Sequence, residues 1–219
     1  EYIYFSRPDS IIKNISVYEY RKRLGAELAK ESHLESDLII PVPDSGVPAS
    51  IGYAEKIKKN VELGIIRNHY VGRTFIEPTQ QIRSFGVKLK HNINKSLVRN
   101  KSLILIDDSL VRGTTSVKII RMLYEAGAKE VHLRIASPPI KYPDYYGVDT
   151  PSHNELLASK LSVEKMRKFI NATTLKFLSI EGLYKSMGCE RRNSSYPQFT
   201  DHCFTGEYPV EPIDAKNKN

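Results

Sequence analysis

The chain has 219 residues, 40% hydrophobic and 26% charged, which suits one folded domain and excludes an intrinsically disordered polypeptide. Its only cysteines, Cys189 and Cys203, exclude a disulfide framework or a four-cysteine metal site within the chain, and they read as reduced thiols of a cytosolic protein. The net charge of +8 is concentrated between residues 67 and 101, where Arg67, Arg73, Arg83, Lys88, Lys90, Lys95, Arg99 and Lys101 face one acid, Glu77, so a polyanionic partner belongs near that stretch.

No apolar run reaches the length of a membrane span, and no signal-peptide pattern opens the chain. The chain opens at Glu1 without a methionine and runs straight into Tyr2, Ile3, Tyr4 and Phe5, the expectation for a fragment of a longer polypeptide, the alternative being a removed tag or an unrecorded initiator. Residues 17–33 carry apolar positions four apart, such as Leu24 and Leu28, and predict a helix. Residues 37–43 (DLIIPVP) predict a buried strand, 47–59 a helix, and 61–67 a weaker strand. The basic stretch that follows has no sustained period and contains Gly72, Pro78 and Gly86, so it reads as a long functional loop.

Residues 102–108 (SLILIDD) predict the clearest buried strand, 115–126 a helix ending at a Gly127 cap, and 131–136 the next strand. Strand, helix and strand at these lengths make a crossover unit of a parallel sheet. Residues 162–170 predict another helix and 175–180 a last strand; beyond Tyr184 the pattern dissolves, and 207–219 reads as a mobile tail. The expected fold is α/β, one domain, a mostly parallel sheet flanked by helices on both faces.

Open α/β sheets bind ligands beyond the carboxyl ends of their strands. Two such ends are unusual here. Asp107 and Asp108 finish the strand over 102–108, and Ser109, Arg112, Gly113, Thr114 and Thr115 lead into the next helix. A helix start offers free N–H groups and a favourable dipole to a phosphate, and Gly113 lets the backbone approach it. Adjacent strand residues point to opposite sides, so the two acids suit different groups of one ribose better than one shared atom. The alternative is that Asp107 and Ser109 merely cap the helix, which leaves the second acid unexplained. Asp44, Ser45 and Gly46, after the strand over 37–43, could meet another anion or a metal-bound anion; alone they equally describe a plain turn.

The stretch over 106–115 resembles the signature of type I phosphoribosyltransferases, which bind phosphoribosyl pyrophosphate. More narrowly, the chain resembles the C-terminal half of the amidophosphoribosyltransferases. The resemblance is carried by residues 2–10 (YIYFSRPDS), 42–46 (VPDSG), 68–83 (NHYVGRTFIEPTQQIR), 105–116 (LIDDSLVRGTTS), 125–129 (EAGAK), 146–152 (YGVDTPS) and 203–206 (CFTG). It implies a transferase domain over 1–206, with the family's N-terminal glutaminase domain absent from this chain.

By the same resemblance, Ser109, Gly113, Thr114 and Thr115, with Arg112 in the same loop, hold the 5-phosphate. Asp107 and Asp108 hold the ribose, and Asp44, Ser45 and Gly46 meet the pyrophosphate. Mg2+ is the implied cofactor, near Ser45, Asp107 and Asp108. The loop over 70–90 folds over the substrate, with Arg73 foremost and Arg83, Lys88 and Lys90 beside it neutralising pyrophosphate. Tyr4, Ile76 and Leu156 match positions lining an ammonia passage; ordinary core packing is their other reading.

The implied reaction is displacement of pyrophosphate by ammonia, giving 5-phosphoribosylamine, the first committed step of purine synthesis. Purine nucleotide inhibitors and homo-oligomers are implied as partners. Nucleic acid is not expected, because the basic loop has few aromatics, Tyr70, Phe75 and Phe85. Some members carry an iron–sulfur cluster held partly by Cys-x-x-Cys before Phe-Thr-Gly. Here Thr200-Asp201-His202-Cys203 lacks the first cysteine, so no cluster is expected. A non-catalytic sensor of the same ligand and a nucleobase transferase are the competing readings.

Overall fold

A computed structural model describes residues 1–68, 91–148, 150, 152–210 and 212. A short antiparallel pair, β1 (Ile11–Ile12) and β2 (Ile15–Ser16), leads into helix α1 (Val17–Ser32). Strand β3 (Leu38–Pro41), helix α2 (Val47–Ile57) and strand β4 (Ile65–Arg67) follow. Next among the described residues come β5 (His91–Ile93), α3 (Lys95–Val98), β6 (Ser102–Asp107), α4 (Thr114–Glu125) and β7 (Glu130–Ile135). A 3-10 turn (His153–Glu155), α5 (Leu157–Lys160), α6 (Val163–Ile170), β8 (Thr174–Phe177), α7 (Ile180–Ser186) and α8 (His202–Thr205) complete the order.

The central sheet is parallel, in the order β3-β6-β7-β8. Its interior strands are apolar almost throughout because helices cover both faces. Along β6 the side chains alternate. Leu103 and Leu105 pack with Ile119, Ile120 and Leu123 of α4 and Met166 and Ile170 of α6. Ile104 and Ile106 pack with Tyr20, Leu24 and Leu28 of α1 and Tyr53 of α2. The α/β expectation holds, with the helices on both faces.

The structure differs from the sequence reading in several places. The last strand stops at Phe177, short of 180, because Ser179 caps a helix the sequence reading missed: its Oγ accepts the Gly182 N–H at 2.9 Å and donates to Glu31 Oε1 at 2.6 Å. The weak strand over 61–67 shrinks to β4, which pairs antiparallel with β5 outside the main sheet, while Val61 makes a lone bridge to Ile39. The β1–β2 pair was not foreseen. Residues 207–210, read as part of a tail, are held to the body: Arg192 reaches Glu207 at 2.5 Å, Tyr208 Oη donates to Pro143 O at 2.7 Å, and the Val210 N–H donates to Tyr146 Oη at 2.9 Å. No helix among the described residues is long and apolar enough to cross a membrane.

Candidate active site

The site forms where neighbouring parallel strands β3 and β6 end, beside a cleft of about 330 Å³. Asp107 is the last residue of β6 and only 8% exposed. Its Oδ1 accepts the Ser45 hydroxyl at 2.7 Å and the Asp108 N–H at 2.9 Å. Asp108 Oδ1 accepts the Ser109 hydroxyl at 2.8 Å. Burial pushes the Asp107 carboxyl up to about 8, the neighbouring Asp108 charge adds to this, and the Ser45 bond opposes it. Burial also raises Asp108, against the Ser109 hydrogen bond and the positive charge of Arg21. The guanidinium of Arg21 is itself fixed by Tyr2 O at 3.0 Å and Ser6 O at 2.7 Å.

Helix α4 opens at the same cleft. Gly113 precedes it at φ 76°, and no side chain caps its N-terminus. The capping role considered for Asp107 and Ser109 is therefore not the one they play. The first-turn N–H groups lack intrahelical acceptors by geometry, and Thr114, Thr115 and Ser116 all border the cleft. The result is a row of free N–H groups and hydroxyls, which could take an anion, beside two carboxyls. A Cβ on Gly113 would lie 2.8 Å from Leu157 Cδ2 and 3.4 Å from Phe169 Cε1. Gly113→Ala is expected to cost about 1–2 kcal/mol through the left-handed backbone alone. It is also expected to weaken any binding of inorganic phosphate at the helix start by roughly tenfold, as titration calorimetry would show.

The structure brings Ser45, Asp107, Asp108, Ser109, Arg112, Gly113, Thr114 and Thr115 to this one cleft. Arg112 also pairs with Glu155 at 3.1 Å. Asp44 and Gly46 do not line it. The Asp44 carboxylate turns to the guanidinium of Arg67 on β4. Gly46 is a spacer: a Cβ there would stand 2.1 Å from Ile106 O. Tyr4 is within electrostatic reach of Asp108, while Leu156 is fully buried in the core shared with Ile106 and Phe204. Arg73, Ile76, Arg83, Lys88 and Lys90 lie outside the described residues.

The sequence reading missed His91, which borders the cleft from β5. Only the nonlocal pairing of β4 with β5 brings it there, so no local signal could reveal it. Among the described residues, no cluster of three His, Cys, Asp or Glu side chains could hold a metal ion by itself.

Residues 13–137 match the family model for the phosphoribosyl transferase domain. The chain is 56% identical to an amidophosphoribosyltransferase of Rhizobium etli over 220 residues, covering 100% of this chain and 44% of that protein. It is 53% identical to the amidophosphoribosyltransferase of Bacillus subtilis, covering 96% of this chain and 44% of that protein. Among solved structures it resembles the glutamine phosphoribosylpyrophosphate amidotransferase of B. subtilis complexed with ADP and GMP. The TM-score is 0.86 at 53% identity, over 96% of this chain and 46% of that one. The chain thus spans less than half the length of these relatives. The family match includes β3, β6 and both loops that wall the cleft, and on that ground the chain belongs to the phosphoribosyl transferase domain family.

Proposed function

We propose that this chain is the transferase domain of an amidophosphoribosyltransferase, in which ammonia displaces pyrophosphate from phosphoribosyl pyrophosphate to give 5-phosphoribosylamine. The observation that carries the reading is the uncapped start of α4 facing the same cleft as Asp107, Asp108 and Ser45. A phosphate monoester fits the helix start, and a sugar attached to it falls beside the acid pair.

The chemistry then follows from charge. Cleavage at C1 of the ribose builds positive charge on the sugar and negative charge on the leaving pyrophosphate. Asp107 and Asp108 orient the ribose hydroxyls and stabilise the developing positive charge. The Gly113, Thr114 and Thr115 amides and hydroxyls anchor the far end of the substrate. The basic loop over 70–90, with Arg73, Lys88 and Lys90, neutralises the leaving group and excludes water, which would otherwise compete with ammonia. Ammonia attacks C1 from the face opposite the departing pyrophosphate, the C–N bond replacing the C–O bond; already neutral, it needs no general base to attack, and the proton its ammonium adduct sheds passes to solvent.

The residues present fit Mg2+. Two carboxyls and the Ser45 hydroxyl are hard oxygen donors, and burial of two adjacent carboxyls leaves a site that gains from a cation. Asp107, Asp108 and Ser45 would hold it, directly or through the ribose hydroxyls, together with substrate oxygens, and bound there it would supply charge neutralisation for the leaving pyrophosphate. The same reading assigns 1–206 to the transferase domain and 207–219 to a C-terminal tail, of which 207–210 are held to the body. A glutaminase domain supplies the ammonia and completes a passage past Tyr4, Ile76 and Leu156. Purine nucleotides act as inhibitors, and the enzyme is a cytoplasmic homo-oligomer.

The test mixes the chain with phosphoribosyl pyrophosphate, Mg2+ and ammonium at alkaline pH and follows pyrophosphate. Release that depends on both ammonium and Mg2+ is expected. A folded sample that binds the substrate yet releases nothing would instead favour a sensor.

A further inference from the structure

We infer that His91 is a substrate-binding residue that holds the pyrophosphate end of the ligand through Nδ1. The inference rests on the transferase reading above and adds to it a contact that the local sequence gives no reason to expect.

The first observation is register. Arg67 on β4 stands directly opposite His91 on β5. Directly paired residues of an antiparallel ribbon project from the same face. Arg67 reaches Asp44, in the loop after β3. His91 is thereby brought to the same loop, and it borders the cleft together with Pro43 and Ser45.

The second observation is an unmet polar atom. His91 Nδ1 is buried and has no hydrogen-bond partner among the described residues. Buried ring nitrogens are ordinarily paired, and an unpaired one is costly. A ligand oxygen in the cleft would satisfy it.

The third is direction. The start of α4, the acid pair, Ser45 and His91 all border one cleft, with Ser45 and His91 at the loop after β3, where the Ser45 hydroxyl donates to Asp107 Oδ1 at 2.7 Å. A ligand with its phosphate at the helix start and its ribose on the acids extends its remaining end toward Ser45 and His91. Pyrophosphate oxygens only accept hydrogen bonds, so Nδ1 carries the hydrogen and donates it. Among the described residues Arg112 is the other basic group bordering the cleft, and it is held toward Glu155 at 3.1 Å, so His91 acts beside the basic residues assigned above to the pyrophosphate.

Asparagine and glutamine separate the two ring nitrogens. The amide nitrogen of Asn falls near Nδ1, and that of Gln nearer Nε2. The experiment measures binding of inorganic pyrophosphate and of ribose 5-phosphate by calorimetry, and KM for phosphoribosyl pyrophosphate, in wild type, His91→Asn, His91→Gln and His91→Phe. His91→Asn is expected to hold pyrophosphate within about threefold of wild type, while His91→Gln and His91→Phe weaken it by about tenfold or more. Ribose 5-phosphate affinity is expected to stay unchanged in all three. Pyrophosphate binding by His91→Phe as tight as wild type, or equal binding by the Asn and Gln variants, would overturn the inference and leave the transferase reading standing. A wild-type protein that binds neither ligand would overturn both.

Discussion

Asp107→Asn is expected to lower kcat/KM for phosphoribosyl pyrophosphate by about 100- to 1,000-fold and, at the same time, to raise the thermal midpoint of the ligand-free protein. The two effects share one cause. The carboxyl is buried beside a second carboxyl and binds its proton more tightly in the folded state, near 8 against an ordinary 3.8. Folded protein therefore holds more protons than unfolded protein between those values. Stability falls as pH rises through that window and is fully restored below it.

An asparagine keeps an oxygen that can accept the Ser45 hydroxyl and the Asp108 N–H, but it cannot ionise. Parallel thermal scans in chelator should show the variant higher by roughly 5 °C at pH 8, with the gap closing toward pH 4. A site built for function at the expense of stability behaves in this way. A large drop in midpoint for the asparagine variant would instead mark Asp107 as a structural residue.

Gly25→Ala and Gly52→Ala are each expected to destabilise the fold by roughly 3 kcal/mol or more, lowering the thermal midpoint by about 6–12 °C. Helix propensity alone predicts the opposite sign, since alanine is favoured over glycine inside a helix by about 1 kcal/mol. Packing decides the matter. Helices α1 and α2 cross so closely that a Cβ on Gly25 would lie 1.8 Å from Ala49 O, and one on Gly52 would lie 1.8 Å from Lys22 O. Both obstacles are rigid backbone carbonyls, so the helices must separate. Separation would loosen Tyr20, Leu24 and Tyr53 against Ile104 and Ile106, beneath the acid pair. Thermal or urea denaturation checks the sign directly. A midpoint equal to or above that of wild type would contradict the close crossing.

The strand ending in Asp107, and the loop from Ser109 to Thr115, were legible because their signals are local. An apolar run stops, two acids follow, and Gly113 precedes a periodic helix. The missed elements had their signals hidden or far away. The largely apolar run 175–180 conceals Ser179, which caps α7 and is also held by Glu31, far off in the chain. The resemblance puts Asp44 at the pyrophosphate, and the ion pair its carboxylate makes with Arg67 on β4 is a tertiary contact that no local pattern shows. His91 and Arg21 matter through partners set by tertiary register, which no single-chain pattern records.

The most direct test of the account is a crystal structure of the chain with phosphoribosyl pyrophosphate and Mg2+ bound. The account predicts the 5-phosphate on the amides at the start of α4 and the ribose hydroxyls against Asp107 and Asp108. A ligand phosphate bound anywhere other than that helix start, with the two carboxyls facing away from the sugar, would contradict it.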